Sequence, residues 1–185
     1  MKLLTVALAL LLFLSCKSDE AAKEEEWKKS VVQSIAYWDG RKMDVPVLPI
    51  IDSNFTYPGF DKVYRNHLKM VTFIDGDCGL CVDYLKQCKR IIDYTNKNKL
   101  NCSFLFYIQT TFPKTFQKSI YSQLQMSVPW IWDSAGSFVK KNNLWDIRYH
   151  SALLNDTDAV ILIGSIDGRP QLEELYKTTI AKVAK

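Results

Sequence analysis

The chain has 185 residues, of which 48% are apolar, 24% charged and 12% aromatic, with 7 Gly and 6 Pro. That composition excludes collagen-like, low-complexity and wholly disordered chains, and the length suits one compact domain. The formal charge of +4 is scattered over short clusters with no basic block, so no nucleic-acid partner is expected.

Met1-Lys2 precedes the apolar run Leu3 to Leu14, then come Ser15-Cys16 and the polar Lys17-Ser18-Asp19-Glu20. Such a run is short for a transmembrane helix and suits a signal-peptide core. This start resembles a bacterial lipoprotein signal, although Leu14 is bulkier than the commonest residue at its position and Phe13 replaces the preferred Leu. The resemblance implies a signal peptide over 1–15 and a lipidated Cys16 that anchors the chain to a membrane. The expected place is the bacterial cell envelope, facing the periplasm or exported to the outer surface, where disulfides persist. Residues 16–26 read as the lipidated end and a polar tether, and 27–185 as a single domain with an N-terminal extension.

Trp27, Val31, Ile35 and Trp38 recur at helical spacing, and Asp39-Gly40 supplies a stop. Val45-Pro46-Val47-Leu48-Pro49-Ile50-Ile51 allows only short or edge strands, because each proline removes a donor. The segment through Tyr57-Pro58-Gly59-Phe60 reads as loop. Lys69 to Ile74 has strand length and is bounded by Asp75-Gly76-Asp77, after which Cys78-Gly79-Leu80-Cys81 follows at once. From Cys81 the apolar positions 84, 85, 88, 91, 92 and 95 trace one helical face. Ser103 to Ile108 then closes a β-α-β unit. Phe112 to Leu124 is predicted helical with Pro113 in its first turn. Val128 to Trp132 is the next strand-like run, followed by a short helix over Phe138 to Leu144. Ser151 to Leu154 and Ala159 to Gly164 form a predicted hairpin, and Leu172 to Lys182 an amphipathic helix over one sheet face.

Two cysteines at i and i+3 reach disulfide geometry when the first caps a helix and the second lies in its first turn. The helix end favours thiolate at Cys78, the expected nucleophile, with Cys81 deeper on the apolar face as the resolving thiol. The implied chemistry is thiol-disulfide exchange, which needs no bound cofactor. Asp75 and Asp77 oppose the thiolate by charge, and their plainer role is capping or turn hydrogen bonding. An inert structural disulfide is the bland alternative. A zinc site would need further ligands from Cys88, Cys102 or His67, and there is no second CxxC, so no metal is expected. Cys88 repeats the buried helix face and reads as a core thiol, while the direction of Cys102 is open.

Strand-CxxC-helix in an exported chain, with the later Pro129-Trp130-Ile131-Trp132-Asp133 and Gly136, resembles the thioredoxin-like superfamily, above all the exported TlpA and ResA type found as bacterial lipoproteins, in a Bacteroidetes-type variant. The resemblance covers about residues 40 to 182 and implies an α/β thioredoxin-like fold, a central mixed β-sheet flanked by helices. It also marks departures. Asp77 stands where thioredoxins have Trp, Thr72 where they have an acid, and Tyr149 or His150 at the approximate site of their cis-proline. Asp77, Tyr149, His150 and Trp130 are therefore candidate substrate or proton-transfer contacts, with core packing as the bland reading for Trp130 and Trp132. For Trp145, contact and support weigh equally.

The function expected is a membrane-tethered oxidoreductase acting on extracytoplasmic protein thiols or disulfides, with a further redox partner. The competing class is a non-catalytic binding or structural module retaining the Cys78-Cys81 disulfide. A peroxidase fits less well: the peroxiredoxin pattern wants Thr or Ser three residues before the attacking cysteine, where Asp75 stands.

Overall fold

The computed structural model describes residues 22, 24–51, 64, 68–79 and 81–184, with the backbone alone at 81, 82 and 147. Cys16, His67 and the loop expected at 57–60 lie outside the described residues. Residues 24–38 form a helix, α1, which takes in the Glu24-Glu25-Glu26 end of the stretch read as a tether. Within it, Ser34 Oγ donates to Ser30 O at 2.7 Å.

The body of the fold, Trp38–Lys185, is built on one six-stranded sheet ordered β1-β4-β3-β2-β5-β6. Its centre is β2, Leu68–Asp75, a run whose first seven residues are all buried. This continuous burial, without alternation, is what a strand covered on both faces requires. Strand β3, Cys102–Gln109, pairs in parallel with β2 from Leu68↔Cys102 to Asp75↔Gln109. The connection between them is α2, Cys81–Lys97, whose Tyr84, Leu85, Cys88, Ile91, Ile92 and Thr95 are buried at the predicted spacing.

Beyond β3 lies the short parallel β4, Trp130–Trp132, and at the edge β1, Ile50–Ile51, pairs with it antiparallel. Among the described residues β1 is two residues long, and Pro49 ahead of it contributes only its carbonyl, which accepts from Trp132 N at 2.9 Å. The helix expected over 112–124 is shorter and mixed. After α3, Pro113–Phe116, the chain widens to a π-turn over Gln117–Tyr121, closed by Ser122 N donating to Gln117 O at 2.9 Å. Such a bulge changes the direction of a side chain within the turn, and here buried Gln117 accepts from the Trp130 indole N–H at 2.5 Å. The next helix, α4, spans Ser137–Asn142, and Asp133 caps it through both oxygens to Ser137 N and Phe138 N.

On the other side of β2, β5, Ser151–Leu154, and β6, Val160–Ile163, form the predicted antiparallel hairpin, with a bulge at Leu153/Leu154. Its turn is held by Asn155 Oδ1, which accepts from Thr157 N at 3.0 Å and Ala159 N at 2.9 Å. Lys69, with a side chain only 1% exposed, is tolerated in the central strand because Asp158 in that turn sits 2.8 Å from its ammonium. The Tyr64 ring, 4.3 Å from the same nitrogen, completes the enclosure. Finally α5, Pro170–Val183, lays Leu172, Tyr176 and Ile180 on the sheet and is tied to α2 by Arg90 on Glu173.

Candidate active site

The first functional side chains lie in the turn leaving β2. Asp77 N donates to Asp75 Oδ1 at 3.1 Å and Cys78 N to Asp75 O at 3.3 Å, so Asp75 is the turn residue its plainer reading expected. Gly76 N donates to Gln109 O at 2.8 Å, fastening this turn to the end of β3. No side chain fits at Gly76: a Cβ there would stand 2.9 Å from Ile108 Cγ2, 3.0 Å from Phe116 Cδ2 and 3.1 Å from Thr110 Cβ.

Helix α2 begins at Cys81, which corrects the expectation that Cys78 caps the helix and Cys81 lies one turn inside it. The turn bonded back to Asp75 holds Cys78 ahead of the first helical residue. Cys78 is half-buried, in contrast to two other cysteines. Cys88 and Cys102 are buried, and desolvation pushes the Cys88 thiol far up and the Cys102 thiol up to about 12. Cys102 is the first residue of β3, with Sγ 3.5 Å from Ser103 O.

Asp77 is held as a hydrogen-bond acceptor. Its Oδ1 accepts from Thr110 Oγ1 at 2.6 Å, and its Oδ2 from Thr111 N at 3.0 Å and Thr111 Oγ1 at 2.9 Å. These bonds, with the Thr110 hydroxyl foremost, hold the carboxyl below the usual carboxylate range. An ionised carboxylate with both oxygens engaged latches the Cys78 turn to the loop after β3 and has no proton to give at neutral pH. The sequence reading missed Thr110 and Thr111; two adjacent hydroxyl residues after a strand are too common a pattern to point to a partner thirty residues away.

Trp130 is withdrawn from the candidate contacts. It is 0% exposed, ringed by Phe116 at 5.2 Å and Tyr121 at 6.2 Å, because β4 is an interior strand of the sheet. Trp132 is half-buried, with its indole N–H on Thr110 O at 3.1 Å, and Trp145 is exposed. Tyr149 and His150 stand just before β5, at the carboxyl end of β2, and both are half-buried. His150 O accepts from Phe73 N at 2.8 Å, and its ring meets Phe73 edge-on at 4.9 Å. Burial lowers the His150 pKa, while a bond to the Leu144 carbonyl and the nearby Asp146 partly oppose that. The peptide bonds of the described residues are all trans, including those of Tyr149 and His150.

Beneath α2 lies a polar group in which Thr72 gains partners that the sequence did not single out. Thr72 Oγ1 is 2.9 Å from Ser151 Oγ, which also bonds the Tyr84 hydroxyl, and Tyr176 OH donates to Ser151 O at 2.9 Å. Thr72 partly opposes the burial that pushes the Cys88 thiol up. At the position where the resemblance leads one to look for an acid, these residues provide neutral hydroxyls. Among the described residues no three His, Cys, Asp or Glu side chains are grouped to hold a metal ion.

No family model and no curated protein matches this sequence. Solved structures do match its fold. A lipoprotein of the SCO1/SenC family from Bacillus anthracis superposes with a TM-score of 0.59 at 11% identity, covering 78% of this chain and 97% of that one. Peroxiredoxin Q of Xanthomonas campestris gives 0.56 at 10% identity over 77% and 98% of the two chains. The thioredoxin domain of a thiol-disulfide oxidoreductase from Bacteroides vulgatus gives 0.54 at 10% identity over 76% and 96%. With a central mixed sheet, helices on both faces and the cysteine turn at the carboxyl end of its middle strand, the chain has the α/β thioredoxin-like fold.

Proposed function

We propose that this chain is a thiol-disulfide oxidoreductase of extracytoplasmic proteins, tethered to the cell envelope through a lipidated Cys16. The observation that carries the reading is the contrast among its cysteines. Cys78 is half-exposed in the turn ahead of α2 and Cys81 opens that helix, while Cys88 and Cys102 are buried with raised pKa values. Reactivity follows thiolate character and access, so the CxxC pair is the reactive one.

In the reducing direction the Cys78 thiolate attacks one sulfur of a partner disulfide. A Cys78–partner S–S bond forms, the partner's own S–S bond breaks, and the released sulfur leaves as a thiolate that takes a proton from water. The Cys81 thiolate then attacks Cys78 Sγ and expels the second partner thiolate. Two electrons have passed to the partner, and the Cys78-Cys81 disulfide remains; the oxidising direction is the reverse.

The test is a titration in redox buffer, with the state of the pair read from the mass shift on alkylation. A reversible two-electron transition above about −300 mV is expected, together with partner proteins trapped on Cys78 in the Cys81→Ser variant. A pair that stays oxidised under much stronger reduction, and traps nothing, replaces this reading with a binding module.

A further inference from the structure

We infer that Phe112 is a specificity-determining residue, which reads an apolar side chain beside the reactive cysteine of a partner polypeptide. The inference rests on the exchange reading and names the kind of partner that reading requires. Phe112 is 66% exposed. A single exposed aromatic is ordinary on a protein surface, and what distinguishes this one is how its loop is fixed.

Phe112 N donates to Thr110 Oγ1 at 3.1 Å, and that same hydroxyl donates to Asp77 Oδ1 at 2.6 Å. Thr111 adds two bonds to Asp77 Oδ2. Asp77 is the residue before Cys78, so the backbone carrying Phe112 is pinned to the turn carrying the candidate nucleophile. Trp132 anchors the same loop from β4 through its bond to Thr110 O. The backbone that bears this exposed ring is thus fixed to the turn that bears Cys78.

Hydrogen bonding offers a partner less here. Both oxygens of Asp77 are engaged, Asp75 Oδ1 accepts within its own turn, and Asp83 is paired with Lys86 at 2.8 Å. Exchange passes through a mixed disulfide: a bond forms between Cys78 Sγ and one partner sulfur as the partner's S–S bond breaks and its other sulfur leaves as a thiolate. That bond holds the partner's Cα roughly 4.4–6.8 Å from that of Cys78. A neighbouring residue of an extended segment, about 3.3 Å further on, then crosses the loop of Phe112. An apolar side chain there covers the ring and leaves water with it.

The experiment compares second-order rates of the reduced full chain with three oxidants. Two are disulfide-linked peptides identical except for Leu or Ser beside the cysteine; the third is bis(2-hydroxyethyl) disulfide. The Leu peptide is expected to react about tenfold faster than the Ser peptide, the factor that partial burial of an aromatic ring supplies. Phe112→Ala removes that preference and leaves the small disulfide rate unchanged, while Phe112→Leu retains most of it. A preference that survives Phe112→Ala, or equal rates for both peptides in the parent chain, overturns the inference while exchange stands. If none of the three oxidants reacts at Cys78, the exchange reading itself falls and takes the inference with it.

Discussion

Two glycines flank Asp77-Cys78, and a methyl group added to each has opposite consequences. At Gly76 the new carbon would meet Ile108 at 2.9 Å, Phe116 at 3.0 Å and Thr110 at 3.1 Å, where ordinary contact begins at 3.4 Å. None of the three is the loose end of a long side chain. Ile108 is a buried strand residue, Phe116 is packed on Trp130, and Thr110 is bonded to Asp77. Relief therefore requires the turn to move, which strains Gly76 N on Gln109 O and shifts Cys78. Overpacking of this kind costs about 1–3 kcal/mol, a fall in Tm of about 2–12 °C for a domain of this size. A Cβ at Gly79 meets nothing within 4 Å among the described residues, and the residue is exposed. Gly79→Ala is expected to be neutral, or to stabilise by roughly 0.4–1 kcal/mol through the unfolded chain. Thermal melts by circular dichroism on both variants, with Cys78 alkylation rates on the folded proteins, make the comparison. A Gly76→Ala variant as stable as Gly79→Ala, with Cys78 unchanged, would refute the reasoning.

The remaining predictions concern the buried ion pair and the half-buried histidine. Asp158→Asn leaves the Lys69 ammonium enclosed without its carboxylate and is expected to cost about 3–5 kcal/mol in urea unfolding. Adding Lys69→Met should recover most of that loss, and strictly additive effects would show that the pair is not coupled. Because burial depresses the His150 pKa, the unfolded chain binds more protons than the folded one between the depressed value and the ordinary 6.5. Its contribution is complete above about pH 6.5 and is lost as pH falls through that window, then levels off below the folded value. The slope of stability against pH just below 6.5 should flatten in His150→Gln, and an unchanged slope would remove His150 as its source.

The elements were legible where burial is uniform. Val71 to Ile74 and Phe104 to Ile108 are apolar on both faces, so their runs announced interior strands, and the spacing of Tyr84, Leu85, Cys88, Ile91 and Ile92 announced α2. The site was legible as far as its cysteine spacing. What connects that turn to the rest is written in short polar residues, Thr110, Thr111 and Ser151, whose partners are chosen by tertiary approach and leave no local period. Trp130 shows the same limit from the other side. An aromatic strand residue reads alike whether it lines a groove or a core, and only its place in the strand order decided for the core. Cys78 stands ahead of α2 for a local reason, since the bonds from Asp77 N and Cys78 N to Asp75 put it in the turn that leaves β2.

The hydroxyls of Thr72, Ser151 and Tyr84 can each act as donor or acceptor toward one another. Rotating them reverses the direction of the whole chain of bonds without moving a proton on or off the protein. The wiring under α2 is therefore reversible in polarity. A change of charge nearby can be met by reorienting three O–H dipoles.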